Sequence, residues 1–316
     1  MEKIIEKIKQ AENIIITAHI SEDADAVGSV FALGTALCGM GKNAVVLLGE
    51  KPEDKLEFLK YDYKLFTEDF SAKQDLLVCL DTATRERLGE RAVLLEKSES
   101  VLLDHHYTNT RFADYNYVDG DASSTGEIVF RLLKKMDIPI TKEIAEPLYT
   151  AISGDTGSFQ YSCTAPETMR VAAELMETGI DHAKISRNLY DTVSPELIKL
   201  KGYVMANLKS CFGGKLNMAT LTQAEFESFG VSEKNSGDIV NIARMAKGTE
   251  VAVSVRETPE KIKISFRSNG KVNVSEIAAH FGGGGHKMAA GASVTDRPFD
   301  AVTEEIVKVC GEFLND

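Results

Sequence analysis

The chain has 316 residues, of which 43% are hydrophobic, and a formal net charge of -12 at pH 7. This length exceeds that of a usual single domain, so we expect two domains that can each bury a core. The acidic balance disfavours a protein that coats long nucleic acid, because such binding needs many lysine and arginine contacts to phosphates. A short anionic substrate held through metal ions remains compatible with this charge.

Two further features of the sequence concern its cellular location. No apolar stretch reaches the roughly 20 residues that a membrane-spanning helix needs, and the opening MEKIIEKIKQ lacks the apolar core of a signal peptide. The chain has 5 cysteines, an odd number, and no two of them form a Cys-x-x-Cys pair. We therefore expect neither a cysteine-based zinc site nor a redox centre. We therefore expect a cytoplasmic protein that does not contact membranes.

The first half of the chain alternates short apolar runs with helical patterns. The runs are NIIITAHI (13–20), NAVVLLG (43–49), DLLVCLD (75–81) and SVLLDHH, which ends at His106. Polar or glycine segments bound them, as is typical of buried parallel strands. Strands that alternate with helices predict an α/β fold with a doubly wound, mostly parallel sheet, whose ligand sites lie beyond the carboxyl ends of the strands.

Two helices of this half are predicted to start at capping boxes. The segment Ser124–Glu127 is expected to open one helix, and Thr164–Glu167 is expected to open the other, which Gly179 ends. The hydroxyl of Ser124 and the helix N-terminus that follows it could also bind an anion from the substrate. Capping alone would explain the same residue.

The second half of the chain predicts a helical linker and a smaller α/β domain. The first domain is expected to cover residues 1–185, and Ser194–Glu196 followed by LIKLKGYVMANL is expected to form a rigid helix within a linker over 186–207. The second domain then covers 208–316. Its predicted strands are KLNMATLT, EVAVSVRE and KIKISFRS, and its predicted helices are SGDIVNIARMAKG, NVSEIAAHFG and FDAVTEEIVKVCGEFL.

Histidine and aspartate side chains follow the apolar runs of the first domain. They are His19, Asp23 and Asp25 in AHISEDADAVGS, Asp81 in CLDTA, the triplet Asp104, His105 and His106, and Asp155 in GDTGSF. Imidazole and carboxylate without thiolate suit Mn²⁺ or Mg²⁺ better than a structural zinc ion. Each residue also has an ordinary interpretation by itself, such as a helix cap for Asp25. Without a shared site, several separate strand and helix ends would each carry a suitable ligand by chance. One shared metal site is therefore the better hypothesis.

The number of candidate ligands favours two metal ions. A single ion bound for hydrolysis rarely needs so many ligands, whereas a pair of ions about 3.5–4 Å apart uses them to hold a phosphoryl group and to activate water. Asp81 directly follows LLVCL, where a buried carboxylate is costly without a cation or hydrogen bonds. We therefore assign the bridging position to Asp81 and predict a metal-dependent hydrolase.

A glycine-rich segment of the second domain is a candidate for substrate binding. FGGGGHKMAAG places four glycines before His286. Glycines allow backbone N–H groups to approach a phosphate, so we expect an ordered binding turn rather than a flexible spacer. Arg267 and Ser268 end the strand KIKISFRS, where the arginine could bind a phosphate through two hydrogen bonds, although an ordinary exposed arginine is also compatible.

These motifs resemble those of the DHH/DHHA1 phosphoesterase family. The triplet Asp104–His106 is the motif that gives the family its name, and Gly283–His286 is similar to its GGGH signature. In length and motif order the chain looks most like the branch of bacterial oligoribonucleases and 3'-phosphoadenosine-5'-phosphate phosphatases. It departs from the family motif at Glu22, where proline is common.

The resemblance implies a role for each candidate residue. One Mn²⁺ ion, with Mg²⁺ as the alternative, would be held by His19, Asp23 and Asp81, and a second by Asp25, Asp81, His105 and Asp155. His106 would contact the scissile phosphate. The far end of a short nucleotide would contact Arg267, Ser268, Gly284, Gly285 and His286.

The implied activity is in-line hydrolysis of short oligoribonucleotides to mononucleotides and of 3'-phosphoadenosine-5'-phosphate to AMP. Short single-stranded RNA or small nucleotides would be the partners, and the chain could form a homodimer. The sequence leaves three alternatives open: a linear or cyclic dinucleotide phosphodiesterase, a polyphosphate or pyrophosphate hydrolase, and a nucleotide-binding protein without catalysis. His106 or a water molecule could supply the general acid.

Overall fold

A computed structural model of the chain describes residues 1–314. The chain divides into two compact units, Met1–Thr192 and Val193–Asp316, and each unit has its own sheet and its own buried core. The domain limits expected from the sequence, at residues 185 and 208, stay a prediction. No helix within residues 1–314 is long and apolar enough to span a bilayer.

The first unit is built on a parallel sheet. Its strands are β1 (Asn13–Thr17), β2 (Asn43–Leu48), β3 (Tyr63–Leu65), β4 (Leu76–Leu80), β5 (Glu99–Asp104) and β6 (Tyr115–Val118). Its helices are α1 (Glu2–Gln10), α2 (Ala24–Gly39), α3 (Thr125–Lys135), α4 (Lys142–Asp155), α5 (Pro166–Glu177) and α6 (His182–Ser186). The strand order is β3-β2-β1-β4-β5-β6, and every neighbouring pair is parallel. The predicted doubly wound α/β sheet is therefore confirmed.

The central strands are apolar on both faces of the sheet. Ile14 and Ile16 of β1 join the large core that contains residues of α2, α3 and α4, whereas Ile15 joins a smaller core on the opposite face. The register pairs Ile15 with Val45 on one side and with Leu77 on the other. Because both faces are covered, a site at this sheet must lie beyond the ends of its strands.

Helices α2, α3 and α4 approach one another through small residues. A Cβ atom added to Gly126 would lie 2.5 Å from the Cβ of Ala151, and one added to Gly154 would lie 2.6 Å from the Cβ of Ala24. One added to Gly28 would lie 2.4 Å from a backbone oxygen of α4. These small-residue contacts have no space for a larger side chain. They bring the N-termini of α2 and α3 next to the C-terminus of α4.

The starts of two helices differ from the predicted capping boxes. Ser124 caps α3 by accepting a hydrogen bond from the Glu127 backbone N–H, but the Glu127 carboxylate binds the N–H and hydroxyl of Ser123 instead of Ser124. Helix α5 has Ala165 as its N-cap, one residue later than the predicted Thr164. Proline at the first position of α5 accounts for this start, since it needs no hydrogen bond to its nitrogen.

The second unit contains a mixed sheet. Its strands are β7 (Lys209–Cys211), β8 (Leu216–Leu221), β9 (Val251–Glu257), β10 (Ile262–Ser268), β11 (Gly284–His286) and β12 (Ala289–Val294). Its helices are α7 (Pro195–Ala206), α8 (Gln223–Phe229), α9 (Ile239–Met245), α10 (Val274–His280) and α11 (Phe299–Leu314). The strand order is β11-β12-β10-β9-β8-β7, in which β8 and β9 are parallel and the other pairs antiparallel. The smaller α/β fold of this part is confirmed.

Candidate metal centre

The predicted ligands of the first unit meet at one edge of the parallel sheet. His19 follows β1, Asp81 follows β4, and His105 follows β5. The carboxyl ends of parallel strands lie side by side, which places these three residues together. Asp25 lies in the first turn of α2 and Asp155 is the last residue of α4, so the small-residue contacts bring both to the same edge.

The ligand atoms form two main groups, in each of which they lie within 4.8 Å of one another. The first contains His19, Asp23 and Asp81, and the second contains Asp25, His105 and Asp155. A further group of Asp81, His105 and His106 overlaps both. The donors are imidazole nitrogens and carboxylate oxygens, a chemistry that fits divalent ions such as Mn²⁺ and Mg²⁺.

Asp81 belongs to the first group and also lies close to the second. Its Oδ2 is 3.3 Å from Nε2 of His19, and its Oδ1 is 3.6 Å from Nε2 of His105. The hydroxyl of Thr125 donates a hydrogen bond to Oδ1 at 3.1 Å. Asp81 also has a φ of +51°, which is uncommon for a residue other than glycine. Each carboxylate oxygen thus faces a different histidine, as required of a ligand that bridges two ions.

Asp25 is fixed by the N-terminus of α3. The backbone N–H groups of Thr125 and Gly126 donate to its Oδ2 and Oδ1 at 2.7 and 2.9 Å, and the hydroxyl of Ser29 donates to Oδ1 at 3.2 Å. The N-cap of α2 is Asp23 rather than Asp25, since the Asp23 carboxylate accepts the first free N–H groups of this helix. The backbone therefore holds the Asp25 carboxylate in one orientation.

Ser124 lies at the same helix terminus and is buried. Ser124 has no exposed surface, and its hydroxyl accepts the N–H of Glu127 at 3.1 Å. The next N–H groups of α3 already donate to Asp25. Because the anion at this helix terminus is the protein's own carboxylate, capping accounts for Ser124, and its contact with the substrate stays a prediction.

Two of the crowded carboxylates, those of Asp25 and Asp155, have a raised affinity for protons. Burial, together with the charges of Asp81 and Asp155, raises the pKa of Asp25 well above its usual value. Burial and the charges of Asp23 and Asp81 raise the pKa of Asp155 in the same way. Cations relieve such repulsion between buried carboxylates. The donor set therefore fits a pair of divalent ions on electrostatic grounds as well as by its chemistry.

His19 is oriented through its second ring nitrogen. Nδ1 lies 2.7 Å from the carbonyl oxygen of Ile20 and 3.1 Å from Nη2 of Arg87. Arginine can only donate, so Nδ1 cannot satisfy both contacts, and the shorter one identifies Nδ1 as a donor to the carbonyl. Burial lowers the pKa of His19, but its hydrogen bond to Asp81 and the charge of Asp23 raise it to about 9. Nε2 is then the atom that would bind a metal ion.

His106 is held by a buried aspartate. Its Nδ1 lies 2.8 Å from Oδ1 of Asp104, which is fully buried, and Nδ2 of Asn109 donates to Oδ2 of Asp104 at 2.5 Å. Burial lowers the pKa of His106, but the hydrogen bond to Asp104 and the charge of Asp81 raise it to about 10. The metal-binding groups found within residues 1–314 do not include Asp104. Its place in the sequence motif therefore reflects the orientation of His106 rather than direct metal binding.

Glu22, which stands directly before Asp23, is buried. Its Oε1 accepts hydrogen bonds from Nη1 of Arg91 and from the backbone N–H of Gly49, the latter at 2.7 Å. The side chains of Glu22 and Arg91 are 1% and 2% exposed. Within the described part of the chain, Oε2 of Glu22 and Nη2 of Arg91 have no hydrogen-bond partner. The residue at the usual proline position thus joins the ligand loop to the end of β2 through a buried ion pair.

The predicted substrate-binding residues of the second unit lie on two strands. Arg267 and Ser268 end β10, and Gly284, Gly285 and His286 form β11. The segment therefore begins with a turn at Phe281 and Gly282, and its last two glycines lie in a short strand. Arg267 of β10 and His286 of β11 both pair with Ala289 of β12. These three residues therefore lie in one row across the sheet. Residues paired in this way direct their side chains to the same face.

Packing accounts for part of this glycine segment. A Cβ atom on Gly283 would lie 2.1 Å from the carbonyl oxygen of Gly291, and one on Gly285 would lie 2.6 Å from that of Ala289. At Gly284 an added Cβ would have no atom within 4 Å. Ser268 is buried, and its hydroxyl accepts a hydrogen bond from a neighbouring backbone N–H. The substrate contacts of these residues stay a prediction.

A cavity of about 130 Å³ adjoins the metal-binding groups within the first unit. Its walls include Lys55, Leu189 and Tyr190, to which the sequence analysis gave no role. Lys55 lies in a 3₁₀ turn and the other two in a π-helical turn, so no regular hydrophobic period reveals them. A larger cavity of about 380 Å³ lies in the second unit beside α8. We assign function to the smaller cavity, because candidate ligands line it.

Comparisons with known proteins identify two matching family models and several similar proteins. The model for "DHH family, N-terminal domain" matches residues 13–152, and the model for the "DHHA1 domain" matches residues 220–316. A Thermus thermophilus protein named "Bifunctional oligoribonuclease and PAP phosphatase NrnA" is 34% identical, over 99% of this chain and 94% of that protein. A Bacillus subtilis protein of the same name is 27% identical over 98% of both chains. The crystal structure of an exopolyphosphatase-related protein from Bacteroides fragilis has a TM-score of 0.90 at 31% identity, and the match covers 99% of this chain and 95% of that one.

Proposed function

Because the chain belongs to the DHH family, we propose that it is a two-metal phosphoesterase that hydrolyses short oligoribonucleotides to mononucleotides and 3'-phosphoadenosine-5'-phosphate to AMP. The observation that carries this proposal is the position of Asp81, whose two carboxylate oxygens face histidines of different ligand groups. Two relatives named as oligoribonuclease and PAP phosphatase, matched over nearly their whole length, support the substrate class.

The metal ligands follow from the two groups. His19, Asp23 and Asp81 would hold one ion, and Asp25, Asp81, His105 and Asp155 would hold the other. When bound, the two ions would polarise the phosphoryl oxygens and lower the pKa of the attacking water. We favour Mn²⁺ over Mg²⁺, because each group contains an imidazole, a ligand that suits transition metals.

His106 would contact the reacting phosphate. Asp104 lies at its Nδ1, so we expect Nε2 to be the atom that faces the substrate. In the metal-free protein the hydrogen bond to Asp104 and the charge of Asp81 raise the pKa of His106 to about 10, which favours a protonated ring whose Nε2 carries a hydrogen. Asp104 is not among the proposed metal ligands, so its hydrogen bond would still favour the protonated ring once cations neutralise Asp81. His106 would therefore donate to a phosphoryl oxygen and could pass its proton to the leaving oxygen, with Asp104 as the residue that positions it.

The second unit would bind the remote part of the nucleotide. Arg267 and His286 lie in register on one face of the sheet, where both can point to one ligand. Gly284 has open space beside its Cα, so its backbone can approach a phosphate closely. Gly285 and Ser268 complete the proposed set.

We extend the proposal to location and partners. The cysteines Cys38, Cys79, Cys163, Cys211 and Cys310 are free thiols, which fits a reducing cytoplasm. The net charge of -12 supports short substrates over long nucleic acid. A homodimer, as expected from the family resemblance, is part of the proposal and can be measured by light scattering.

The test is hydrolysis by the purified protein with Mn²⁺, compared with Asp81→Asn, which keeps the side-chain shape but removes the bridging charge. The substrates are a short oligoribonucleotide, 3'-phosphoadenosine-5'-phosphate, cyclic di-AMP and polyphosphate. We expect mononucleotide from the first two and no activity in Asp81→Asn. Asp69→Asn, at an exposed aspartate outside the ligand groups, serves as the matched control. Preference for cyclic di-AMP or polyphosphate, or unchanged turnover by Asp81→Asn, would contradict the proposal.

A further inference from the structure

The aromatic side chain with the largest exposed fraction within residues 1–314 stands next to the metal-binding groups. Tyr107 directly follows His106 in the chain and is 72% exposed. Consecutive Cα atoms are about 3.8 Å apart, so this side chain begins one residue from a histidine of the proposed site. Single exposed aromatic residues are common and need no explanation by themselves. Tyr107 differs from them because its contacts fix the ring and leave one of its faces open.

The turn that carries Tyr107 is anchored to the site. The backbone N–H of Asn109 donates to the carbonyl oxygen of His106 at 3.1 Å, which closes the turn. The side-chain amide of Asn109 donates to the carbonyl oxygen of Thr82 at 3.0 Å and to the carboxylate of Asp104. Thr82 lies just after β4, and Asp104 ends β5. The turn is therefore tied to two strand ends at which candidate ligands lie.

The loop after β6 fixes the ring itself. The Tyr107 hydroxyl donates a hydrogen bond to Oδ1 of Asp121 at 2.9 Å. A Cβ atom added to Gly120 would lie 2.4, 2.5 and 2.8 Å from three neighbouring ring carbons, Cε1, Cδ1 and Cζ. Such similar distances place that Cβ over the face of the ring, since an atom beside the ring edge would be much farther from the third carbon. Gly120 thus covers one face, and because Tyr107 is still 72% exposed, the other face is open.

The fixed ring lies at the edge of the sheet that holds the candidate ligands. Its two anchors follow the carboxyl ends of β5 and β6, which are neighbours in the sheet. The loop after β6 also leads into α3, whose first N–H groups hold Asp25. Neighbouring strands are about 4.8 Å apart, so the ring is within about two strand spacings of the ligands that follow β4 and β5. The base of a nucleotide whose phosphate lies at the metal-binding groups can span this distance.

We propose that the open face of Tyr107 stacks on the base of a nucleoside esterified to the scissile phosphate. The inference rests on the proposed function, which places that phosphate at the metal-binding groups. Stacking on an aromatic ring accepts any base, because every base has a π-face. A ring that Asp121 and Gly120 already hold loses little conformational freedom when a base binds. Tyr107 thereby favours nucleotides over polyphosphate, which has no base.

The experiment measures kcat/KM for the dinucleotide ApA and for two analogues, each of which lacks the base of one of the two adenosines. Loss of base–aromatic stacking weakens binding by about 5- to 150-fold, so Tyr107→Ala should lower kcat/KM for ApA by that factor. On the analogue that lacks the stacked base, Tyr107→Ala should match the wild type. Tyr107→Phe keeps the ring and should retain most of the activity on ApA.

Tyr115→Ala is the matched control. Tyr115 begins β6, at the opposite edge of the sheet, and its hydroxyl also donates to a carboxylate, that of Glu99, at 2.9 Å. This variant should leave the ratio of activities on ApA and the two analogues unchanged.

Two results overturn the inference. An equal loss by Tyr107→Ala on all three compounds would show that the ring only supports the turn. Unchanged activity of Tyr107→Ala on ApA would show that the base binds elsewhere. Metal-dependent hydrolysis by the wild type would persist in both cases, so neither result would contradict the proposed function.

A binding measurement separates this inference from the proposed function. It uses two analogues of ApA, each with 2-aminopurine in place of one adenine and with a methylene group in place of the leaving oxygen, which prevents hydrolysis. The chain has no tryptophan, so 2-aminopurine can be excited without exciting the protein. If the wild type hydrolyses no substrate, the proposed function fails, and fluorescence alone decides the inference. Quenching of one analogue by the wild type and Tyr107→Phe that Tyr107→Ala abolishes supports stacking, and equal quenching by all three proteins refutes it.

Discussion

Replacement of Arg91 by methionine should destabilise the first unit by about 3–5 kcal/mol, the usual cost of removing one partner from a buried ion pair. The magnitude follows from the burial, since the side chains of Arg91 and Glu22 are only 2% and 1% exposed. Without Arg91, the Glu22 carboxylate would retain only the N–H of Gly49 as a donor. For a unit of this size, 1 kcal/mol shifts Tm by about 2–4 °C, so the expected fall is about 6–20 °C.

The double variant Glu22→Gln with Arg91→Met separates charge from packing. It removes both charges, so it should be more stable than Arg91→Met alone, which leaves an uncompensated carboxylate. The chain contains no tryptophan, and thermal unfolding is best followed by calorimetry, which also distinguishes the two units. A loss below about 1 kcal/mol in Arg91→Met would refute the reasoning, because an unpaired buried charge cannot be so inexpensive. A double variant less stable than both single variants would do the same.

Two other predictions concern the catalytic site. Asp104→Asn should lower kcat by about 10²–10⁴, the usual contribution of proton transfer, while Mn²⁺ affinity changes little, because Asp104 orients His106 and does not join the ligand groups. Steady-state kinetics with a Mn²⁺ titration measures both, and a large loss of metal affinity would contradict the assignment. Mn²⁺ binding at pH 7 should release protons, since the pKa of His19 is about 9 in the metal-free protein and a ligand histidine must be neutral. The affinity for Mn²⁺ should therefore rise with pH up to about 9. Calorimetry in two buffers of different ionisation enthalpy counts the released protons. Binding without any proton release would contradict this prediction.

The fold could be predicted because its strands are buried on both faces. LLVCL in β4 contains no polar residue, and NIIIT in β1 has polar residues only at its two ends, a pattern that parallel strands between helices produce. The grouping of the candidate ligands at one edge of the sheet followed from the same signal, since His19, Asp81 and His105 lie just after β1, β4 and β5. The family resemblance that the motifs indicated is confirmed over nearly the whole chain.

Other parts of the site could not be predicted, because long-range contacts determine them. Glu22 and Arg91 are 69 positions apart, and no local pattern pairs them. Ser124 has the sequence of an anion-binding helix start, but Asp25, from a distant segment, occupies that position. Lys55 lies in a short turn without a periodic pattern, so only the folded chain places it at the cavity.

The small-residue contacts among α2, α3 and α4 affect how this protein can change in evolution. Gly28, Gly126 and Gly154 carry no functional group, yet any side chain there would separate the helix ends that hold Asp25 and Asp155. A saturation mutagenesis screen would therefore rank these glycines with the metal ligands among the least replaceable positions. The turns around Lys55 and Tyr190 are outside this constraint. New substrate preferences can accordingly arise in those turns while the helix contacts, and with them the hydrolytic chemistry, are inherited unchanged.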